Sequence, residues 1–145
     1  MAQEKRIEAR KRVFEMLFER EFRTDETPEE IFDIAMEDAP GDEIDYIRKV
    51  FFGVCEKQEE LDNLIAKYAK GWKTNRMSRV SRSIIRLCIY EMRYVPDVPS
   101  SVAINEAVEL AKKYGGEDDA PFVNGVLGGV ARRGEAVSET EEPKP

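Results

Sequence analysis

The stretch SRVSRSIIRLCIYEMRY, from Ser78 to Tyr94, decides the fold. Wound at about 100° per residue, it puts Val80, Ile84, Leu87 and Cys88 in one sector and Ile85, Ile89 and Met92 in another. Arg79, Arg82, Arg86 and Arg93 then share a sector of roughly 60°. More than half of the circumference is apolar, which predicts a central helix enclosed by others, with one narrow exposed strip. Ser78 can cap its start, and Pro96 and Pro99 forbid its continuation. A helix this apolar needs partners, and the flanking sequence supplies them in helical period, with no sustained alternation of period two.

Working outward, a first helix is expected from about Glu4 to Phe22, with Ile7, Phe14, Leu17, Phe18 and Phe22 as its apolar stripe and Val13 at the margin. Thr27-Pro28-Glu29-Glu30 is a start signal, with Thr27 as cap, proline at the first helical position and Glu30 able to close a capping box. Ile31, Ile34 and Ala35 are expected to face inward, and Pro40-Gly41-Asp42 breaks the chain. A third helix carries Ile44, Ile47, Phe51 and Val54; a fourth carries Leu61, Leu64, Ile65 and Tyr68 and ends near Gly71-Trp72. Ser100 or Ser101 opens a sixth, with Val102, Ala107, Val108 and Ala111 inward and Gly115-Gly116 as its stop. The seventh starts near Pro121 and buries Phe122, Val123, Val126, Leu127 and Val130. The expectation is an all-α protein of about seven helices over residues 1–133. From Gly134 the segment GEAVSETEEPKP has no apolar face and reads as an acidic, disordered tail, 134–145.

A chain of 145 residues makes one domain, or two small helical lobes sharing a core, and needs no disulfide or metal to fold. Cys55 and Cys88 lie inside helical apolar patterns and read as buried free thiols. Histidine is absent, which removes the commonest general base, the commonest zinc ligand and every Ser/His or Cys/His nucleophile. No GxxxxGK[ST] or GxGxxG loop is present to cradle a phosphate. No cofactor, metal or enzymatic activity is therefore expected. No apolar run reaches the length of a membrane span, and the N-terminus MAQEKRIEARKR lacks the apolar core of a signal peptide, so a cytoplasmic protein without membrane contact is expected.

Charge is sharply segregated. From Lys67 to Arg93 eight basic residues face one acid, Glu91, a local charge of +7 in a chain whose total is −7. Residues 24–66 hold 14 acids against three bases. Such separation costs self-repulsion and usually answers to an anionic partner. Arginine, planar and multidentate, is the better phosphate fork. Two readings of the strip stand: a surface for an anionic ligand, or arginines paired with the acidic helices. By their place on the helix, Arg86 and Arg93 read as structural, and Arg76, Arg79 and Arg82 as the exposed set. Glu91 projects into the apolar sector and, as a buried carboxylate, needs partners. Arg6 and Arg10 lie on the same side of the first helix as Phe14 and Leu17, so that end is expected to project past the core and rim a groove, unless the two simply snorkel at a frayed terminus. Tyr68 and Trp72 interleave Lys67, Lys70 and Lys73, an arrangement that suits stacking of single-stranded bases or, as readily, core packing.

The blocks VAINEAVELAKKYG (Val102 to Gly115), Glu117-Asp118 and FVNGVLG (Phe122 to Gly128), preceded by Asp97-Val98-Pro99, closely resemble the NusB family of bacterial transcription antitermination factors. WKTNRMSRVSRSIIRLCIYEM (Trp72 to Met92) and EARKRVFEMLFE (Glu8 to Glu19) are similar to the same family, in the same order, so the resemblance covers residues 4–133. It implies an all-helical fold of two small lobes and no enzymatic activity; with residues only to 145, no fused methyltransferase domain is expected. It further implies binding of the single-stranded boxA element of ribosomal RNA leaders, together with NusE, a small-subunit ribosomal protein, within an antitermination complex on RNA polymerase. The family's RNA site maps onto Arg6 and Arg10, then Tyr68 and the loop toward Arg79, then Asp118 and Phe122. Ile7 and Glu8 interrupt the arginine cluster that is often denser in the family, and Lys70, Lys73 and Arg76 are expected to compensate, with the RNA contacts of the basic segment expected over its first half, from Lys70 through Arg79 to Arg82. The alternative is a helical protein-interaction module whose basic strip docks an acidic protein. A homodimer sharing apolar surface is compatible with either reading.

Overall fold

Seven helices and no strand occur among the residues that the computed structural model describes, 2–38, 43–69 and 77–134. They are α1 (Ala2–Arg20), α2 (Pro28–Asp38), α3 (Ile44–Glu56), α4 (Gln58–Tyr68), α5 (Arg79–Tyr94), α6 (Ser100–Tyr114) and α7 (Asp119–Arg132). The chain divides into two compact units, Met1–Lys57 and Gln58–Pro145. The expected break at Pro40-Gly41-Asp42, the residues Lys70, Trp72, Lys73 and Arg76, and the tail from 135 onward lie outside the described residues.

In the first unit α1, α2 and α3 pack on one another. Its core is rich in aromatics: Val13, Phe14 and Leu17 from α1, Ile31 and Phe32 from α2, and Ile47, Val50 and Phe51 from α3 are buried. The Phe32 ring lies 6.5 Å from that of Phe51 and 5.0 Å from that of Phe52, spacings at which aromatic pairs attract beyond their buried area. The capping box forms as the sequence predicts. Thr27 N–H donates to Glu30 Oε1 at 3.1 Å, and Glu30 N–H donates to Thr27 Oγ1 at 3.2 Å. Arg12 Nη2 donates to the Ala35 carbonyl at 2.8 Å and ties α1 to α2.

In this unit two apolar stripes are shifted from expectation. On α2, Ile31, Phe32 and Met36 face the core, while Ile34 is 50% exposed and Ala35 is half-buried. Both sectors were apolar, and the one holding the larger side chains, Phe32 and Met36, took the interior. On α1, Val13 is fully buried whereas Ile7 and Phe22, at opposite ends, are exposed.

In the second unit α5 is the hub, packed against α4, α6 and α7. Ser78 caps it, its hydroxyl accepting from Ser81 N–H at 3.0 Å. Ser81 and every residue from Ser83 to Arg93 are buried, which bears out the reading of this stretch as a central helix. Arg86 grips Asp62 of α4 with two parallel hydrogen bonds, Nε to Oδ1 at 2.7 Å and Nη2 to Oδ2 at 2.9 Å. Glu60, two residues before Asp62 on α4, meets Arg93 at 3.3 Å and accepts from the Tyr94 hydroxyl at 2.6 Å. Arg86 and Arg93 are thus structural, as their depth along the helix implied although they share a sector with Arg79 and Arg82, and their carboxylate partners come from α4. Glu91 is 1% exposed and engaged within its surroundings. Both cysteines are free; Cys88 is buried, and Cys55 only half so.

On α6 the inward stripe is Ala103, Ala107, Leu110 and Ala111; Val108 is half-buried and Val102 exposed. α7 starts at Asp119, two residues before the expected Pro121, which sits in the first turn where a missing N–H costs nothing. Val123, Val126, Leu127 and Val130 are buried as read, and Phe122 is half-buried.

Candidate nucleic-acid interface

The placement of α7 depends on one carboxylate. Asp119 accepts hydrogen bonds from the hydroxyls of Ser78 (2.6 Å) and Ser81 at the start of α5, and from Gly116 N–H at 2.7 Å. Burial by itself raises its pKa, but these donors outweigh it and hold the carboxyl below the ordinary aspartate range. The corner leaves no room for a side chain at Gly115, where a Cβ would stand 2.7 Å from Asp119 Cβ and 2.8 Å from the Ala111 carbonyl oxygen. The N-termini of α5 and α7 are thereby pinned together, and α7 runs out from this corner alongside α4, with which it packs.

Between the end of α4 and the outer face of α7 lies an open groove of about 640 Å³. Tyr68 and Phe122 are its aromatic residues, and Lys67, Arg132 and Arg133 its cations. Along α7 the lining positions Phe122, Gly125, Gly129 and Arg132 recur every three or four residues, one face of a helix. Lys67 Nζ stands 5.6 Å from the centre of the Tyr68 ring, within cation–π range. No carboxylate lines this groove among the described residues. An aromatic surface among cations, with glycines exposing backbone, can accept a planar base and neutralise the phosphates beside it.

Of the residues expected at the site, Tyr68 and Phe122 are brought together here. Asp118 caps α7 but is exposed, makes no side-chain capping bond and lies outside the groove lining. Arg79 is exposed and Arg82 half-buried at the start of α5; both have interactions of their own, and neither lines the groove. In the first unit, Arg6 is held by Glu43, Nε to Oε2 at 2.6 Å, with its guanidinium 4.2 Å from the centre of the Tyr46 ring. Glu43 is the only non-glycine residue with positive φ among those described, at 65°. Arg10 is 4% exposed, contrary to the expectation that its guanidinium would stand outside the core. A long apolar stem lets an arginine enter a packed face when its head finds partners, and the Arg10 head group is engaged. Arg132 and Arg133 escaped the sequence reading because basic residues in a last turn are readily explained by the helix dipole. The signal that marks Arg132 is its register with Phe122 and Gly129.

The family model described as the NusB family matches residues 7–132. The chain belongs to the NusB family. Among curated relatives, the transcription antitermination protein NusB of Acetivibrio thermocellus is 42% identical over 125 residues, 86% of each chain. That of Clostridium botulinum is 51% identical over 86 residues, so the match spans 59% of this chain and 60% of the relative's own length. Among solved structures, NusB from T. maritima superposes with a TM-score of 0.83 at 38% identity, covering 88% of this chain and 90% of that one. A crystal structure of antitermination factors NusB and NusE in complex with dsRNA superposes at 0.80 with 28% identity, over 90% of this chain and 98% of its NusB-like counterpart. The described residues of this chain are all-helical, in the fold that superposes on NusB from T. maritima. No described helix is long and apolar enough to cross a membrane.

Proposed function

We propose that this chain is a transcription antitermination factor that binds the single-stranded boxA element of ribosomal RNA leaders together with NusE, within an antitermination complex on RNA polymerase. The observation that carries the reading is the groove in which Tyr68 and Phe122 stand among Lys67, Arg132 and Arg133, with no carboxylate in the lining among the described residues. Half-buried rings opening onto a cationic groove suit splayed single-stranded bases, whereas duplex RNA presents its bases stacked and paired. Support for the partners comes from the relatives' names as antitermination proteins and from the NusB–NusE–RNA complex of a structural neighbour. The family resemblance adds Arg6, Arg10, Lys70, Lys73, Arg76, Arg79, Arg82 and Asp118 to the proposed contact surface. Arg6 would have to trade Glu43 for a phosphate, and Arg10, being buried, would act by holding α1 in place. No catalytic step belongs to this reading.

The test is a titration of boxA RNA against a scrambled sequence, with and without NusE, comparing wild type with Phe122→Ala. Loss of one stacking platform should weaken binding by roughly tenfold or more, from about 1–3 kcal/mol per stacked base. Equal affinity for boxA and scrambled RNA in the presence of NusE would overturn the proposal in favour of a protein-interaction module.

A further inference from the structure

Two neighbouring glycines near the end of α7 leave backbone bare beside Tyr68 and Arg132, and Gly129 lines the groove. A Cβ on residue 129 would stand 3.0 Å from Tyr68 Cδ1, and a Cβ on residue 128 would stand 3.0 Å from Arg132 Nη1. Both separations are tighter than ordinary contact. Gly129 therefore sets how closely the Tyr68 ring lies against α7, and Gly128 leaves the seat over which the Arg132 guanidinium folds back. Helical side chains lean toward the N-terminus of their helix, so this fold-back carries the fork from the last turn up along the groove wall. Arg132 is exposed, and no carboxylate among the described residues holds it. Glycine is unfavourable in a helix interior, and here two in succession seat one aromatic ring and one guanidinium on the same groove.

We propose that Tyr68 and Arg132, seated by Gly129 and Gly128, form a subsite for a single nucleotide, the ring taking the face of its base and the guanidinium fork its phosphate. The inference rests on the RNA-binding reading and adds to it the residues that select this nucleotide's position. Arg133, at the C-cap of α7, adds positive charge to the same end of the groove. An arginine in a last turn also complements the helix dipole, but that role needs only charge. A phosphate fork needs the planar, two-pronged head that lysine lacks, so the two roles separate in the choice of substitution.

The experiment is an anisotropy titration of single-stranded boxA RNA with the full chain and NusE, at several salt concentrations, for wild type, Arg132→Gln, Arg132→Lys, Tyr68→Ala and the Tyr68→Ala/Arg132→Gln double variant. Arg132→Gln should weaken binding about tenfold and lower the slope of log affinity against log salt by about 0.7, one single-strand phosphate. Arg132→Lys should keep most of the slope yet recover only part of the affinity. The double variant should lose less than the product of the two single losses, because both residues hold one nucleotide. Multiplicative losses would put the ring and the fork on separate nucleotides and overturn the subsite. Unchanged affinity and slope in Arg132→Gln, with Tyr68→Ala still weakened, would overturn the subsite while leaving the RNA-binding reading intact. Failure of the wild type to bind boxA RNA would bring down both.

Discussion

The seam between α4 and α5 and the groove between α4 and α7 are both rich in cations, and they use them in opposite ways. Along the seam each arginine meets a carboxylate: Arg86 is clasped by Asp62, and Arg93 lies against Glu60. In the groove, Lys67, Arg132 and Arg133 line a wall with no acid among the described residues. A positive charge in the sequence therefore identifies neither a structural nor a binding residue. The acid opposite it decides, and that acid can come from an element far away along the chain, as Asp62 does for Arg86.

The comparison breaks first at the seam. Asp62→Ala leaves the buried Arg86 guanidinium without its two acceptors. Removing one partner of a buried pair typically costs about 3–5 kcal/mol, reduced here to about 2–3 because Asp62 keeps some solvent contact. Denaturant unfolding should show that loss while RNA affinity under folding conditions stays at the wild-type value; a parallel fall in affinity would put the seam inside the binding surface.

The groove should be breakable from its corner. Gly115→Ala drives a methyl group into Asp119 and the Ala111 carbonyl, and overpacking of this kind costs about 1–3 kcal/mol. The start of α7 should shift with it, so RNA affinity should fall together with Tm. A variant that loses stability but binds RNA normally would show that the corner does not position the groove.

The smallest effect is a pH dependence. Asp119 ionises more readily in the folded chain than in the unfolded one. Its stabilising contribution is therefore present above the unfolded carboxylate pKa and is lost as pH falls through the lower folded value. Because the group is only half-buried, solvent screens it and the contribution should stay under about 1 kcal/mol. Unfolding curves of wild type and Asp119→Asn should differ at neutral pH and converge in acid. A gap that widened in acid would contradict the hydrogen-bond account.

The seam was partly legible in the sequence and the groove hardly at all, for physical reasons. α5 repeats its apolar positions over 16 residues, so errors in any one position average out; register placed Glu91 in the apolar sector, and depth along the helix separated Arg86 and Arg93 from Arg79 and Arg82. α2 has only 11 residues and two competing apolar sectors, and register could not say that Phe32 rather than Ile34 would turn inward. Asp62 could not be assigned to Arg86 because periodicity describes one helix at a time. Tyr68 was reached through its place among lysines as well as through the family resemblance, and Phe122 through the resemblance alone, whereas Arg132 was missed because its significance lies in the bare backbone at Gly128 and Gly129, a negative feature that hydropathy patterns do not register. Arg10 failed for the converse reason: a formal charge hid an apolar stem.

The glycines of α7 have a consequence for its motion. Gly125, Gly128 and Gly129 fall within a 14-residue helix, each weakening it by roughly 0.5–1 kcal/mol relative to alanine. Local opening therefore concentrates in the second half of α7, while α5, enclosed on nearly every side, opens only with the whole unit. Amide hydrogens after Gly125 should exchange with solvent ahead of those in α5, and a ligand lying across Tyr68 and Arg132 should slow them, so that the lifetimes of the groove's backbone protons would report its occupancy.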